Sequence, residues 1–204
     1  VLRLGEAGYF VRPAFLGRAA ALAAAGEVAA LAREGRLSPA ALGRGAGHRQ
    51  DAGQRGDLTA WLEDARGGAG AEGGAGGPGL AALRAGFLAL GEALNAHAYL
   101  GLGRHDVQLA LYPGQGARYV RHRDAFAGAR GPNRRLTAIT YLNPGWEPAH
   151  GGLLRLFPEG GPPVDVPPRL DTLVVFLSER LEHEVLPAHA PRLAATAWYY
   201  GRSG

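Results

Sequence analysis

Cysteine is absent from the 204 residues, and so is lysine, since all 22 basic side chains are arginine. Without thiols the chain forms no disulfide, no thiolate metal site and no cysteine nucleophile, which leaves histidine and carboxylate as the side chains for any metal. Isoleucine occurs once while Ala and Gly abound, a compositional bias that carries no function. No apolar run approaches the ~20 residues of a membrane-spanning helix. The first residues also lack the basic-then-apolar order of a secretory signal, so a cytoplasmic protein with no membrane partner is expected. The formal charge of +4 would suit nucleic acid, but the arginines are spread along the chain rather than gathered in one run. No nucleic-acid partner is expected.

What is present argues for one folded domain over residues 1–204, expected as a monomer: 47% hydrophobic residues, three Trp, seven Tyr and six Phe. Gly8–Val11 reads as a short strand, and Pro13 to about Glu34 as an Ala-rich helix. Gly35–Asp57 shows neither helical nor strand periodicity and reads as a long loop, a place where function often sits. Gly67–Gly79 has no side chain able to bury area and reads as a surface connection. It lacks the Lys-Ser/Thr ending and the preceding strand of a phosphate-binding loop. Leu80, Leu83, Phe87, Leu90 and Leu94 then recur at spacings of three and four, the stripe of a helix to about Tyr99.

After Gly103 the periodicity becomes two. Strands are expected at His105–Tyr112, Ala117–His122, Leu136–Leu142, Gly152–Phe157, Val164–Val166, Thr172–Leu177, His183–Leu186 and Leu193–Tyr200. The fold class is therefore α+β. Residues 1–104 would supply helical support and a substrate loop, and 105–204 a β-core of jelly-roll or barrel type.

His122 and Asp124 stand two residues apart at the end of one strand, and in an extended chain such side chains point the same way. His183 is the candidate to complete a site. Two imidazoles and one carboxylate on a rigid sheet leave open positions on a divalent metal, the ligand pattern of non-haem Fe(II) oxygenases. Two polar residues at a strand end are the alternative reading of His122 and Asp124. Zinc hydrolases with this ligand set favour a helical His-Glu-x-x-His, which is missing. Arg192 favours the oxygenase, because a guanidinium on the last long strand can grip a carboxylate bidentately. Alternation places Ala194, Thr196 and Trp198 on its face. By the same count Ile139 pairs with Tyr141, and Ala110 with Tyr112. If these faces point inward, the cavity suits a small dicarboxylate. His48, His97, His105, His150 and His189 have no partner at ligand spacing and read as surface or loop residues. Glu159, Glu182 and Glu184 read as solvated.

Y-P-G-Q-G-A-R-Y-V-R-H-R-D, T-Y-L-N, G-G-L-L-R-L-F-P-E-G, H-E-V-L-P-A and R-L-A-A-T-A-W-Y-Y, in this order, resemble the catalytic half of the 2-oxoglutarate and Fe(II)-dependent prolyl 4-hydroxylases. The nearest branch is that of the hypoxia-inducible-factor prolyl hydroxylases and their bacterial relatives. G-Y-F-V-R-P-A-F-L and R-G-D-L-T-A-W-L resemble that family's opening strand and the end of its mobile substrate loop. The resemblance implies a double-stranded β-helix core, Fe(II) on His122, Asp124 and His183, and 2-oxoglutarate on Arg192 with Tyr141 and Thr196. Tyr112 would lie near the cosubstrate's metal-binding end, and Ile139 and Leu154 would form walls. Trp198, Arg134, Arg55 and Asp57 would meet the substrate. It further implies O2 as the oxidant, ascorbate as a reductant, and a proline-containing protein or peptide as partner. The products would be 4-hydroxyproline, succinate and CO2, and oxygen sensing is a role found in that branch.

Other readings of this fold remain. A small-molecule hydroxylase, acting on free proline or another metabolite, would keep the same iron core. A non-catalytic jelly-roll binding module would need neither the triad nor Arg192. Nucleic-acid demethylases carry a second Arg six residues after the first, where this chain has Trp198, and halogenases replace the carboxylate that Asp124 supplies. The loop Arg36–Asp57 departs from the animal enzymes, so their target specificity does not transfer.

Overall fold

The computed structural model describes residues 2–40, 53–62, 76–125 and 133–201. Among them the chain forms α1 (Leu2–Ala7), β1 (Tyr9–Arg12), α2 (Arg18–Arg33), β2 (Ser38–Pro39), β3 (Leu58–Trp61), α3 (Pro78–Ala98), β4 (Leu102–Tyr112), β5 (Ala117–His122) and β6 (Arg134–Tyr141). After a 3₁₀ turn at Pro148–His150 come β7 (Leu154–Phe157), β8 (Val164–Val166), β9 (Leu173–Leu177), β10 (Glu182–Ala188) and β11 (Arg192–Gly201). The strands form two antiparallel sheets, ordered β1-β9-β6-β11-β4-β3-β2 and β5-β10-β7-β8. This is the jelly-roll core expected from the period-two second half, and each of the eight expected strands is present within a few residues of its expected ends.

Two clusters of buried side chains follow from strand alternation. Along β11, Ala195, Ala197 and Tyr199 face the helices with Leu109 and Val107 of β4. Alternate residues Ala194 and Ala110 face the smaller sheet with Ile139, Tyr141, Leu154 and Val185. The first cluster is closed by α3, whose stripe buries Leu80, Leu83, Phe87 and Leu94. Each such side chain contributes roughly 1.5–3 kcal/mol when fully buried. The Tyr199 hydroxyl donates to the Phe87 carbonyl at 2.6 Å, tying β11 to that helix.

Two sequence expectations change. Helix α2 begins at Arg18 and not at Pro13, because Ala14 and Gly17 both have positive φ and the Leu16 and Gly17 amides donate to the buried Asp171 carboxylate at 2.7 and 2.9 Å. Gly77–Gly79 does not belong to a surface connection. Pro78 opens α3, the Gly79 and Leu80 amides donate to Glu27 of α2, and a Cβ on Gly79 would lie 2.1 Å from the Ala24 nitrogen. A carboxylate satisfying the free amides of a helix N-terminus and a glycine allowing close helix contact are tertiary features, invisible to local composition. His105 lies on β4, as the strand expected from His105 onward has it, with its ring 5.1 Å from that of Tyr199. Residues 41–52 of the expected loop and 67–75 of the glycine-rich stretch, with His48, lie outside the described residues.

Candidate active site

The smaller sheet brings the two histidines together. β5 and β10 pair with His122 directly opposite His183, and their ring centroids are 4.2 Å apart. Asp124 reaches them by a different route from the one alternation suggested. β5 ends at His122, and a bend carries the carboxylate back, leaving Oδ1 at 3.5 Å from His122 Nε2 and Oδ2 at 3.7 Å from His183 Nε2. One ligand atom from each of the three lies within 4.8 Å of the others.

Neighbouring groups fix His122 and Asp124. The Val120 carbonyl lies 2.7 Å from His122 Nδ1, so Nδ1 carries the proton and Nε2 keeps its lone pair towards the cluster. Tyr119 stacks on the same ring at 3.7 Å. Thr137 donates to Asp124 Oδ2 at 2.7 Å and is joined to Ser178 at 2.8 Å, both side chains fully buried. Burial by itself opposes ionisation of Asp124, yet His183, His122 and Arg134 hold its carboxyl well below the usual range. Burial, followed by the nearby His122, pushes His183 down to about 4, so its imidazole is neutral at neutral pH, as a ligand must be.

A cleft runs between the sheets from this cluster to Arg192. Its floor follows from register: Arg192 opposes Tyr112, Ala194 lies between Ala110 and Tyr141, Thr196 between Gln108 and Ile139, and Trp198 between Asp106 and Thr137. Leu154 and Val185 line it from the opposite sheet. Arg192 is 4% exposed, its Nε donates to the Gly152 carbonyl at 2.7 Å, and its guanidinium lies 4.9 and 5.0 Å from the Tyr112 and Tyr141 ring centres. A Cβ on Gly152, where φ is 68°, would come within 2.8 Å of Arg192 Cδ, so this glycine makes room for the arginine. The Tyr141 hydroxyl is buried without a hydrogen-bond partner, and burial raises it to about 12 against the pull of Arg192. Burial also carries Tyr112 above the usual phenol range.

The rim is built differently. Arg55 grips the buried Asp57 with two bonds of 2.8 and 3.0 Å, donates to Gln108 Oε1 at 3.0 Å, and covers the Tyr119 ring at 4.7 Å. Trp61 meets Trp198 edge-on at 5.8 Å. The Arg134 guanidinium lies over Trp198 at 3.8 Å and reaches the Asp124 carbonyl.

Eleven of the thirteen residues singled out from sequence thus line one cleft: His122, Asp124, His183, Arg192, Tyr112, Thr196, Ile139, Leu154, Trp198, Arg55 and Asp57. Tyr141 stands behind it against Arg192, and Arg134 beside Trp198. Gln108, Tyr119, Thr137 and Ser178 were missed. Counting two back from Ala110 and Ile139 reaches Gln108 and Thr137, but Ser178 and Tyr119 have no signal apart from their three-dimensional neighbours.

Two imidazoles and a carboxylate without thiolate suit Fe(II) with open positions. A buried arginine with no carboxylate partner among the described residues, next to an unpartnered buried phenol, suits an incoming carboxylate. The site therefore fits both Fe(II) and a keto-dicarboxylate such as 2-oxoglutarate.

Residues 107–200 match the profile of the 2OG-Fe(II) oxygenase superfamily. A prolyl-4-hydroxylase from Pseudomonas putida superposes with a TM-score of 0.81 and 35% identity, covering 99% of this chain and 97% of that one. A prolyl hydroxylase from Trichoplax adhaerens, in complex with a hypoxia inducible factor oxygen degradation domain peptide, gives 0.82 and 30%, covering 98% and 86%. Egl nine homolog 1 of Rattus norvegicus is 46% identical over 101 residues, 48% of this chain and 29% of that protein. The chain spans less than half the length of the curated relatives it matches. Among the described residues no helix is long and apolar enough to cross a membrane. By full-length likeness in sequence and structure, the chain belongs to the 2OG-Fe(II) oxygenase superfamily, within its prolyl hydroxylases of the hypoxia-inducible-factor type.

Proposed function

We propose that this protein hydroxylates C4 of a proline in a protein or peptide, converting 2-oxoglutarate and O2 to succinate and CO2. The observation that carries this reading is the meeting, in one cleft, of His122, Asp124 and His183 with the unpaired Arg192 beside the Tyr141 hydroxyl. His122, Asp124 and His183 hold Fe(II). Arg192 and Tyr141 bind the distal carboxylate of 2-oxoglutarate, with Thr196 as a further donor, Tyr112 near its other end, and Ile139 and Leu154 as walls. Bound iron and cosubstrate supply the O2-activating redox chemistry, placing one oxygen atom on the proline and one in succinate. The chain's own part is orientation and exclusion of water. Apolar Ile139, Leu154 and Val185 close the space between metal and arginine, and Trp198 and Arg134 meet the target residue at the mouth.

Residues 1–104 serve as support and substrate loop, and 105–204 as the catalytic core, in a cytoplasmic monomer that takes neither nucleic acid nor membrane as partner. Ascorbate serves as reductant. Incubation with Fe(II), 2-oxoglutarate and an extract of its own cells yields a hydroxylated prolyl peptide by mass spectrometry. A signal that survives His122→Ala would refute the metal assignment.

A further inference from the structure

We propose that Gln108 is a specificity-determining residue whose amide donates to a main-chain carbonyl of the substrate near the target proline, making the cleft selective for peptides over free amino acids. This rests on the reading of the cleft as a prolyl hydroxylase site. The orientation of the amide is fixed by chemistry. Arg55 Nη2, which can only donate, lies 3.0 Å from Gln108 Oε1, so the oxygen faces the guanidinium and the NH₂ group faces away. Gln108 lines the cleft, and its NH₂ has no partner among the described residues, so two donors stand ready there. The arrangement is held in place. Arg55 is locked by a bidentate pair to Asp57, whose side chain is wholly buried, and Gln108 sits on β4 between Thr196 of β11 and Trp61 of β3. The ordering entropy of a long side chain is thereby spent before any ligand arrives.

The location points to substrate. In the floor register, Gln108 lies on the side of Thr196 away from Ile139, next to Trp61, which is 39% exposed and edge-on to Trp198. A pyrrolidine ring offers no acceptor to an amide, whereas each residue of an extended peptide offers a carbonyl. A neutral donor pair matches a neutral carbonyl.

The test uses the full chain loaded with Mn(II) and 2-oxoglutarate, which binds substrate without turning over. The probe is a pool of end-blocked proline-centred peptides, with free L-proline in parallel. Gln108→Glu keeps the acceptor for Arg55 and removes the donors, and Gln108→Leu removes both. We expect both variants to bind the best wild-type peptide roughly 3- to 10-fold more weakly, the worth of one neutral hydrogen bond. Affinities for Mn(II) and 2-oxoglutarate should stay within twofold. Replacing the peptide carbonyl that Gln108 contacts by a methylene should weaken wild-type binding but leave Gln108→Leu unaffected. Equal peptide affinity in wild type and both variants overturns the proposal alone. Binding of free L-proline with none of the peptides bound overturns the prolyl-peptide reading and this inference together.

Discussion

The cleft holds two arginines in opposite states, Arg55 half-buried at the rim and Arg192 buried at the far end. Arg55 is already neutralised, with Nε and Nη2 on Asp57 and a third contact from Nη2 to Gln108. Arg192 has one neutral partner, the Gly152 carbonyl, and two tyrosine rings, and no carboxylate among the described residues. A paired buried cation contributes to the native fold, because removing either partner strands the other. An unpaired one is a cost to the empty protein that only an incoming anion relieves. Under the proposed function, two residues of one type, at two ends of one cavity, then serve stability in one case and ligand affinity in the other.

Breaking the paired arginine should have the largest effect on the fold. Arg55→Leu leaves Asp57 buried without its partner and should destabilise by about 3–5 kcal/mol, read by urea denaturation, while 2-oxoglutarate affinity per folded molecule changes little. The mirror experiment is Arg192→Met. It should lower 2-oxoglutarate affinity roughly 10- to 150-fold, as expected for loss of charge-assisted bonds worth about 1.5–3 kcal/mol, while the ligand-free melting temperature stays level or rises. Equal losses of stability in the two variants would erase the distinction between them.

The metal end sharpens the contrast, since it too is held by partners within the protein. Thr137→Val removes the hydroxyl that fixes Asp124 Oδ2 and should weaken Fe(II) or Mn(II) binding about 10- to 100-fold. Thr137→Ser should restore most of that, whereas 2-oxoglutarate affinity of the metal-saturated protein should barely move. The smallest effect concerns pH. His183 titrates near 4 when folded and near 6.5 when unfolded, so between these values the unfolded chain binds more protons. Stability of the metal-free protein should fall as pH drops through that window and be fully present above it. His183→Asn should flatten that slope, measured by denaturation at successive pH values.

Much of this site could be read from sequence because strand alternation is a local rule. With Arg192 facing inward, the same count gives Thr196 and Trp198, and register sets Ile139 and Tyr112 beside them. The rule failed where the backbone leaves the strand. Asp124 lies past the end of β5, so its approach to both histidines comes from a bend that no period describes. It was also silent on partners distant in the chain. Arg55 and Gln108 are 53 residues apart, Thr137 and Ser178 are 41 apart, and none of the four is unusual in its own segment. The late start of α2 has the same origin, since Asp171 lies more than 150 positions from the amides it accepts.

Isotopically labelled dioxygen gives the most direct test of prolyl hydroxylation. With Fe(II), 2-oxoglutarate and the substrate found in cell extract, one labelled atom should appear on C4 of a prolyl residue and one in succinate, in equal amounts, and both should vanish with His122→Ala. Label in succinate alone under saturating substrate, or a hydroxyl on any residue other than proline, would contradict the assignment.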